Sequence, residues 1–240
     1  IHLYIAGGFW FQNKYYTKIS ACRKLYETWT SSEINLKSIK DQIINMRGTF
    51  ALIIDTPEFV FASVDKIRSY PIFYTQKNSE IYVSNSALSL QTECGLFKKN
   101  EMSLLEFEMA GYVTGKETLF KNLFQLQAGE FILFQKQNSK LEICRYYRYW
   151  SDTLDERKEE VLLEELHQVI LRTFSQMIET LEGRPVWIPL SGGFDSRLVL
   201  SMLLELKYDN ITTFTYGIPG LWEVKRAKMI ANHLNVNWHY

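Results

Sequence analysis

Residues 191–196, Ser-Gly-Gly-Phe-Asp-Ser, are the part of this chain whose types and spacing could do chemistry. Two successive glycines allow a sharp turn and remove the Cβ atoms that would hold a phosphate away, so several N–H groups can converge on one anion. Ser191 and Ser196 bring hydroxyls that can donate to phosphate oxygens, whereas Asp195, being acidic, suits Mg²⁺ better than the phosphate itself. The spacing is not GxxxxGK(S/T), so the lysine that grips the outer phosphates in that motif is missing. Such a cradle suits a pyrophosphate leaving group. The alternative is a tight turn in which Asp195 and Ser196 merely cap a helix. Five specified positions of this kind recur by chance in roughly one window in a million.

The flanking elements are those the cradle needs. Residues 186–190 are an apolar run that reads as a strand, and Asp195 through Leu198, Val199, Leu200, Met202, Leu203 and Leu204 reads as a helix. That helix would turn the positive end of its dipole toward the loop. Upstream, Val161, Leu162, Leu166, Val169, Ile170 and Phe174 recur at helical spacing through Leu181, until Gly183 and Pro185 stop the pattern. Residues 211–216 read as another strand. Helix, strand, helix and strand in alternation predict a parallel sheet with a ligand at the carboxyl ends of its strands. Pro189 cannot donate to a ladder and is expected at its strand's end.

Residues 1–150 read as mostly β, with strands at 49–54, 59–64, 72–75, 81–84 and 130–135 and a hairpin turn at 55–58. Helices are expected at 39–45 and 103–110, and two stacked sheets flanked by helices would accommodate all of these. Residues 151–159 are polar and open a second domain over 151–240.

The residues now carry a resemblance. SGGFDS resembles the PP-loop of ATP pyrophosphatases, and with TYGIPGLWEVKRAKMIANHLNVNWH at 215–239 it is similar to the glutamine-hydrolysing asparagine synthetases. The resemblance implies ATP as substrate, held by Leu190, Ser191, Gly192, Gly193, Asp195, Ser196, Tyr216 and Gly217, with Asp195 on Mg²⁺. It also implies adenine recognition by backbone at Tyr216, with Leu190 beside the ring. Glu223 and Lys225 fall on an acidic and a basic position of that segment, for which a solvated helix face is the competing reading, and a histidine corresponding to His239 would lie near the substrate. GMP synthetases, NAD synthetases and tRNA-thiolating enzymes share the SGGxDS cradle.

RGTFALIID at 47–55, VDKIRSYPIFY at 64–74 and GYVTGKETLFKNLFQLQAGE at 111–130 look like successive segments of a class II glutamine amidotransferase domain. The fold implied is an α+β sandwich of the N-terminal-nucleophile-hydrolase type (αββα), followed by a truncated α/β PP-loop domain with a parallel sheet. That first domain works through an N-terminal cysteine; Ile1 cannot do this, but the sequence starts past the place where that cysteine would fall, so its presence in the longer protein is left open. In AGGFWF at 6–11, Gly7 stands for an oxyanion-hole asparagine and Phe9 for an acidic residue, and a lost oxyanion donor can cost about 3 kcal/mol. Only TSSEINLKS at 30–38, with Glu33, is available to hold the glutamine α-amine. Val64 and Arg68 replace the arginine and glycine usual around Asp65. The first domain is therefore expected to be a degenerate glutaminase. The chain starts at Ile1 and ends at Tyr240 inside a motif, which reads as a piece of a longer protein; no catalytic residue is assigned within it.

Composition sets the remaining bounds. Charge is balanced, with 27 basic and 27 acidic residues, so no basic field exists to hold nucleic acid. No apolar run approaches the ~20 residues a membrane helix needs. Cys22, Cys94 and Cys144 form no CxxC, and His2, His167, His233 and His239 form no HxxxH pair, so neither a disulfide framework nor a zinc site is indicated. A cytoplasmic setting is expected. Partners are small molecules: ATP, a carboxylic acid such as aspartate, and ammonia or an amine, with a homodimer left open. The expected activity is ATP-dependent amide ligation. Its alternatives are a ligase using a non-glutamine amine, as in β-lactam or lasso-peptide ring closure or cell-surface sugar amidation, and a nucleotide-binding pseudoenzyme.

Overall fold

The computed structural model describes residues 1–30, 36–151 and 153–240. The chain forms two compact units, Ile1–Asp152 and Thr153–Tyr240.

In the first unit, β1 (His2–Phe11) and β2 (Lys14–Thr17) form a hairpin, followed by α1 (Lys18–Thr30), α2 (Leu36–Ile43), β3 (Arg47–Asp55) and β4 (Phe59–Val64). β5 (Phe73–Lys77), β6 (Glu80–Ser84), α3 (Ala87–Cys94), α4 (Glu101–Ala110), β7 (Phe124–Gln125), β8 (Glu130–Gln135) and β9 (Lys140–Arg145) complete it. Six strands make an antiparallel sheet in the order β2-β1-β3-β4-β8-β9, and three make a second sheet in the order β6-β5-β7. Local chemistry closes the hairpins. The β1–β2 turn places Gln12 and Asn13 at positive φ, as does the β5–β6 turn with Asn78 and Ser79. At the β3–β4 turn the Thr56 hydroxyl accepts from the amides of Glu58 and Phe59.

The period-2 alternation of the central strands decides the layers. Phe50, Leu52 and Ile54 of β3 and Phe59 and Phe61 of β4 pack with Ala21 and Leu25 of α1 and Ile43 of α2. Ala51, Ala62 and Val64 point the other way and meet Ile72, Tyr74 of β5 and Leu126. β4 is buried along its whole length because both of its faces are covered. α3 packs on β5 and β6, with Ser86 accepting from the Ser89 amide at its start and Gly95 in the left-handed conformation at its end. Two stacked sheets flanked by helices are thus present. Cys22, Cys94 and Cys144 are free thiols.

In the second unit, α5 (Glu159–Leu181), β10 (Val186–Pro189), α6 (Phe194–Glu205), β11 (Ile211–Phe214), α7 (Trp222–His233) and β12 (Asn237–His239) alternate. The three strands are parallel in the order β10-β11-β12, with Pro189 opposite Phe214 and Phe214 opposite His239. Pro189 is the last residue of β10, where it costs no interior ladder bond. Ile188, Leu190 and Ile211 pack against Leu200 and Leu203 of α6 and Ala227 and Ala231 of α7, with Met177, Ile178 and Leu181 of α5 closing the cluster. The two alanines, one helical turn apart and fully buried, let α7 approach the sheet closely. Among the described residues no helix is long and apolar enough to cross a membrane.

Candidate functional site

Parallel strands must deliver the helices that follow them to one edge of the sheet, so the loops after β10 and β11 converge at the strands' carboxyl ends. The chain is held tightly up to the start of the first loop. Leu190 donates its amide to the Phe214 carbonyl (2.8 Å), and its own carbonyl accepts from the Thr215 hydroxyl (2.7 Å), which in turn accepts from Trp238 Nε1 (3.0 Å). Leu190, expected beside an adenine ring, has its side chain buried in the core.

Beyond this anchor, SGGFDS folds into a self-bonded turn. The Ser191 amide donates to Ser196 Oγ (3.1 Å), the two serine hydroxyls lie 3.1 Å apart, and the Gly193 amide donates to Ser191 Oγ (3.1 Å). Gly193 is the N-cap of α6 in an extended conformation (φ −78°, ψ 170°), and no side chain caps the helix. Its first-turn amides and its dipole therefore face the open side of the loop. Asp195 sits exposed in that first turn. Arg197 is turned back on the loop, with Nε donating to the Gly193 carbonyl (2.9 Å) and its guanidinium 4.5 Å above the exposed Phe194 ring.

Gly192, by contrast, is buried beneath α7. A Cβ there would lie 2.9 Å from the Trp222 ring and 3.4 Å from Arg226 Cδ. Neither Trp222 nor Arg226 stands out in the sequence as a site residue. The signal that finds them is topological: a helix following a parallel strand starts at the same sheet edge as the loop.

After β11, Tyr216 is 81% exposed with its ring 6.5 Å from that of Phe214, and Gly217 adopts a positive φ (146°). The Gly217 carbonyl accepts from Tyr240 Oη at 2.6 Å. His239 stacks on Trp187, with ring centroids 5.8 Å apart. Glu223 and Lys225 are exposed on α7. The described residues contain no cluster of three or more His, Cys, Asp or Glu side chains able to hold a metal ion. A cation at Asp195 would therefore need phosphate oxygens and water to complete its shell, as Mg²⁺ does at nucleotide sites.

The residues of interest in the first unit are put to other uses. Gly7 has φ 76°, and a Cβ there would overlap the Thr49 carbonyl oxygen and lie 2.7 Å from the Tyr70 ring. Phe9 is 1% exposed, stacked on Tyr16 (5.8 Å) and edge-on to Phe50 (6.0 Å). Val64 is buried in the apolar core. Asp65, also buried, accepts from the amides of Phe50 (3.0 Å), Ile67 (2.9 Å) and Ser69 (3.0 Å), so its carboxylate organises the turn after β4. Arg68 keeps the left-handed conformation (φ 59°) that a glycine would take most easily, and donates to Gln125 Oε1 at 2.5 Å. Glu33 lies outside the described residues. A cavity of about 710 Å³ opens between the sheets, lined by Tyr4, Ile53, Ile72, Tyr82 and Leu90 with Asp55, Asn85 and Glu93; neither Gly7 nor Asp65 lines it.

Residues 173–240 match the asparagine synthase family. The matched stretch runs from within α5 to the end of the chain and contains the whole SGGFDS loop. No curated protein matches the chain. Among solved structures, the chain is similar to an allosteric regulatory enzyme of purine biosynthesis (14% identity, TM-score 0.36, covering 60% of this chain and 28% of that one). It is likewise similar to the glutamine phosphoribosylpyrophosphate amidotransferase from B. subtilis complexed with ADP and GMP (11% identity, TM-score 0.37, covering 99% of this chain and 70% of that one).

Proposed function

We propose that Thr153–Tyr240 is the nucleotide-binding start of an ATP-dependent, amide-forming ligase. The observation that carries this reading is the SGGFDS loop, placed at the carboxyl edge of a parallel sheet with an uncapped helix start behind it, inside a stretch that matches the asparagine synthase family. A substrate carboxylate attacks the α-phosphate of ATP, the bond to the β-phosphate breaks, and pyrophosphate leaves. Ammonia or an amine then attacks the acyl carbon of the adenylate and AMP departs.

The chain's own groups have distinct tasks in this scheme. The amides at the start of α6 and the hydroxyls of Ser191 and Ser196 receive the negative charge that grows on the departing pyrophosphate. In the loop those hydroxyls bond each other and the Ser191 and Gly193 amides, partners that an anion would exchange for its own oxygens. Asp195 would hold Mg²⁺, which when bound neutralises charge on the phosphates. The backbone of Tyr216 and Gly217 would border the adenine. The first unit serves a structural role and releases little or no ammonia from glutamine, because a side-chain amide at Gly7 has no room to project.

Exchange of labelled pyrophosphate into ATP, measured on the whole protein across a panel of carboxylic acids, is expected with one acid or a narrow class. Asp195→Asn should lower that exchange by about a hundredfold or more. ATP binding without exchange for any acid would refute the ligase and leave a nucleotide-binding protein. Glutaminase activity is expected near background, and brisk cysteine-dependent turnover would overturn the assignment of the first unit.

A further inference from the structure

We propose that Arg226 of α7 supplies the positive charge that the SGGFDS loop itself lacks, binding the departing pyrophosphate from the opposite side to the start of α6. The inference rests on the nucleotide reading of the loop and adds to it a residue outside the motif. Three observations support it.

First, the Arg226 stem is in place. Its Cδ lies 3.4 Å from where a Gly192 Cβ would stand, so the guanidinium begins its reach directly against the loop backbone. Absence of a side chain at Gly192 is what permits this approach, and Trp222, one turn earlier on α7, fills the rest of the space. Second, the charge is unspent. Among the described residues the Arg226 side chain has no hydrogen bond, ion pair or ring partner, although Glu223 sits three residues away at a spacing that commonly pairs. The other arginine at the loop, Arg197, already bonds the Gly193 carbonyl and covers Phe194. Third, the base of the arm is rigid. Ala227, the next residue, is fully buried against the sheet and fixes α7 at this height, while Arg226 itself remains exposed.

A guanidinium suits the task because its planar fork matches two phosphate oxygens at once and stays charged throughout the reaction. The loop's amides, hydroxyls and the acidic Asp195 can orient pyrophosphate and a cation but include no positively charged side chain. A cation arriving from the next crossover helix would supply that charge, and its contact would strengthen as negative charge moves onto the leaving group.

The test is binding by the whole protein of two probes, inorganic pyrophosphate and AMP, measured by calorimetry. Arg226→Ala should weaken pyrophosphate at least about tenfold while leaving AMP within about twofold, since AMP lacks the groups this arm contacts. Arg226→Lys, which keeps the charge, should lose less than Arg226→Ala. Unchanged pyrophosphate affinity in Arg226→Ala overturns the inference and spares the cradle. Failure of the unsubstituted protein to bind either pyrophosphate or AMP sinks both. A parallel loss of both probes with a lowered melting temperature assigns Arg226 a structural role instead and equally overturns the proposal.

Discussion

Gly7-Gly8 in β1 and Gly192-Gly193 after β10 are two glycine pairs with opposite surroundings. At the first pair the protein closes in: the Thr49 carbonyl and the Tyr70 ring occupy the space of a Gly7 side chain, and the Tyr15 hydroxyl and ring that of Gly8. At the second pair only one glycine is covered. Gly192 lies beneath Trp222 and Arg226, whereas a Cβ at Gly193 would meet nothing but Ser191 Oγ at 3.2 Å. Glycine is thus kept at Gly7 because neighbours already fill the site. At Gly193 the backbone conformation (φ −78°) suits any residue, and its open side is where the proposed pyrophosphate would lie. The same dipeptide is a packing device in one unit and an opening in the other.

The largest effect that would break this comparison is at Gly7. Gly7→Asn, which introduces a side-chain amide, should destabilise the first unit by about 3 kcal/mol through overlap with the Thr49 carbonyl, with no gain in glutaminase activity. Urea unfolding measures it, and a variant as stable as the parent would show that Gly7 is not sterically required. The next effect is a dissociation between stability and binding. Gly193→Ala should change unfolding by no more than about 1 kcal/mol, the scale of an N-cap exchange, yet weaken pyrophosphate about tenfold by placing a methyl group at the loop's open side. Equal loss of both, or of neither, would remove the contrast between the pairs.

The smallest effect sharpens the comparison by locating an alkaline sensitivity in the sandwich. Burial, followed by the charges of Glu130 and Glu117, pushes Tyr74 up to about 12. Burial and the Asp65 charge push Tyr146 higher still, while its hydroxyl donates to the Val64 carbonyl at 2.8 Å. An unfolded tyrosine ionises near pH 10, so the folded state retains these protons longer. The stabilisation from Tyr74 is complete below about pH 10 and disappears as pH rises through about 12. Urea midpoints between pH 9 and 12 should fall, and Tyr74→Phe should flatten part of that decline; an unaltered slope would assign the sensitivity elsewhere.

Elements governed by nearby residues were legible in the sequence. β4 and β8 are short apolar runs bounded by turn residues, and both occupy the residues their pattern predicts. α5, α6 and the end of β10 at Pro189 likewise follow from helical periodicity and from a proline's missing donor. β1 was not legible as a strand, because two glycines interrupt its pattern and its pairing partner β3 lies far along the chain. α1 was also missed: only Ala21 and Leu25 are buried among its described side chains, too short a stripe to separate it from a polar loop. β7 has two residues and exists only through its pairing with β5. Arg68 illustrates the same limit at a single residue, since its left-handed φ belongs to the turn held by Asp65 and not to any preference of arginine.

By itself the sequence determined the candidate loop, the strand and helix that flank it, and the central hairpin of the sandwich, because each rests on residues within a few positions of one another. The serine hydroxyls and the amides they accept from are all contained in residues 191–196. Tertiary structure alone decided that Gly7 is closed and Gly193 open, that Asp65 serves the β4 turn, and that Arg226 lies against Gly192. Those outcomes depend on which distant surfaces meet: β1 on β3, and α7 on the sheet through Ala227 and Ala231. Close packing between elements remote in sequence leaves no local period to read, so chemistry that depends on it appears only once the chain is folded.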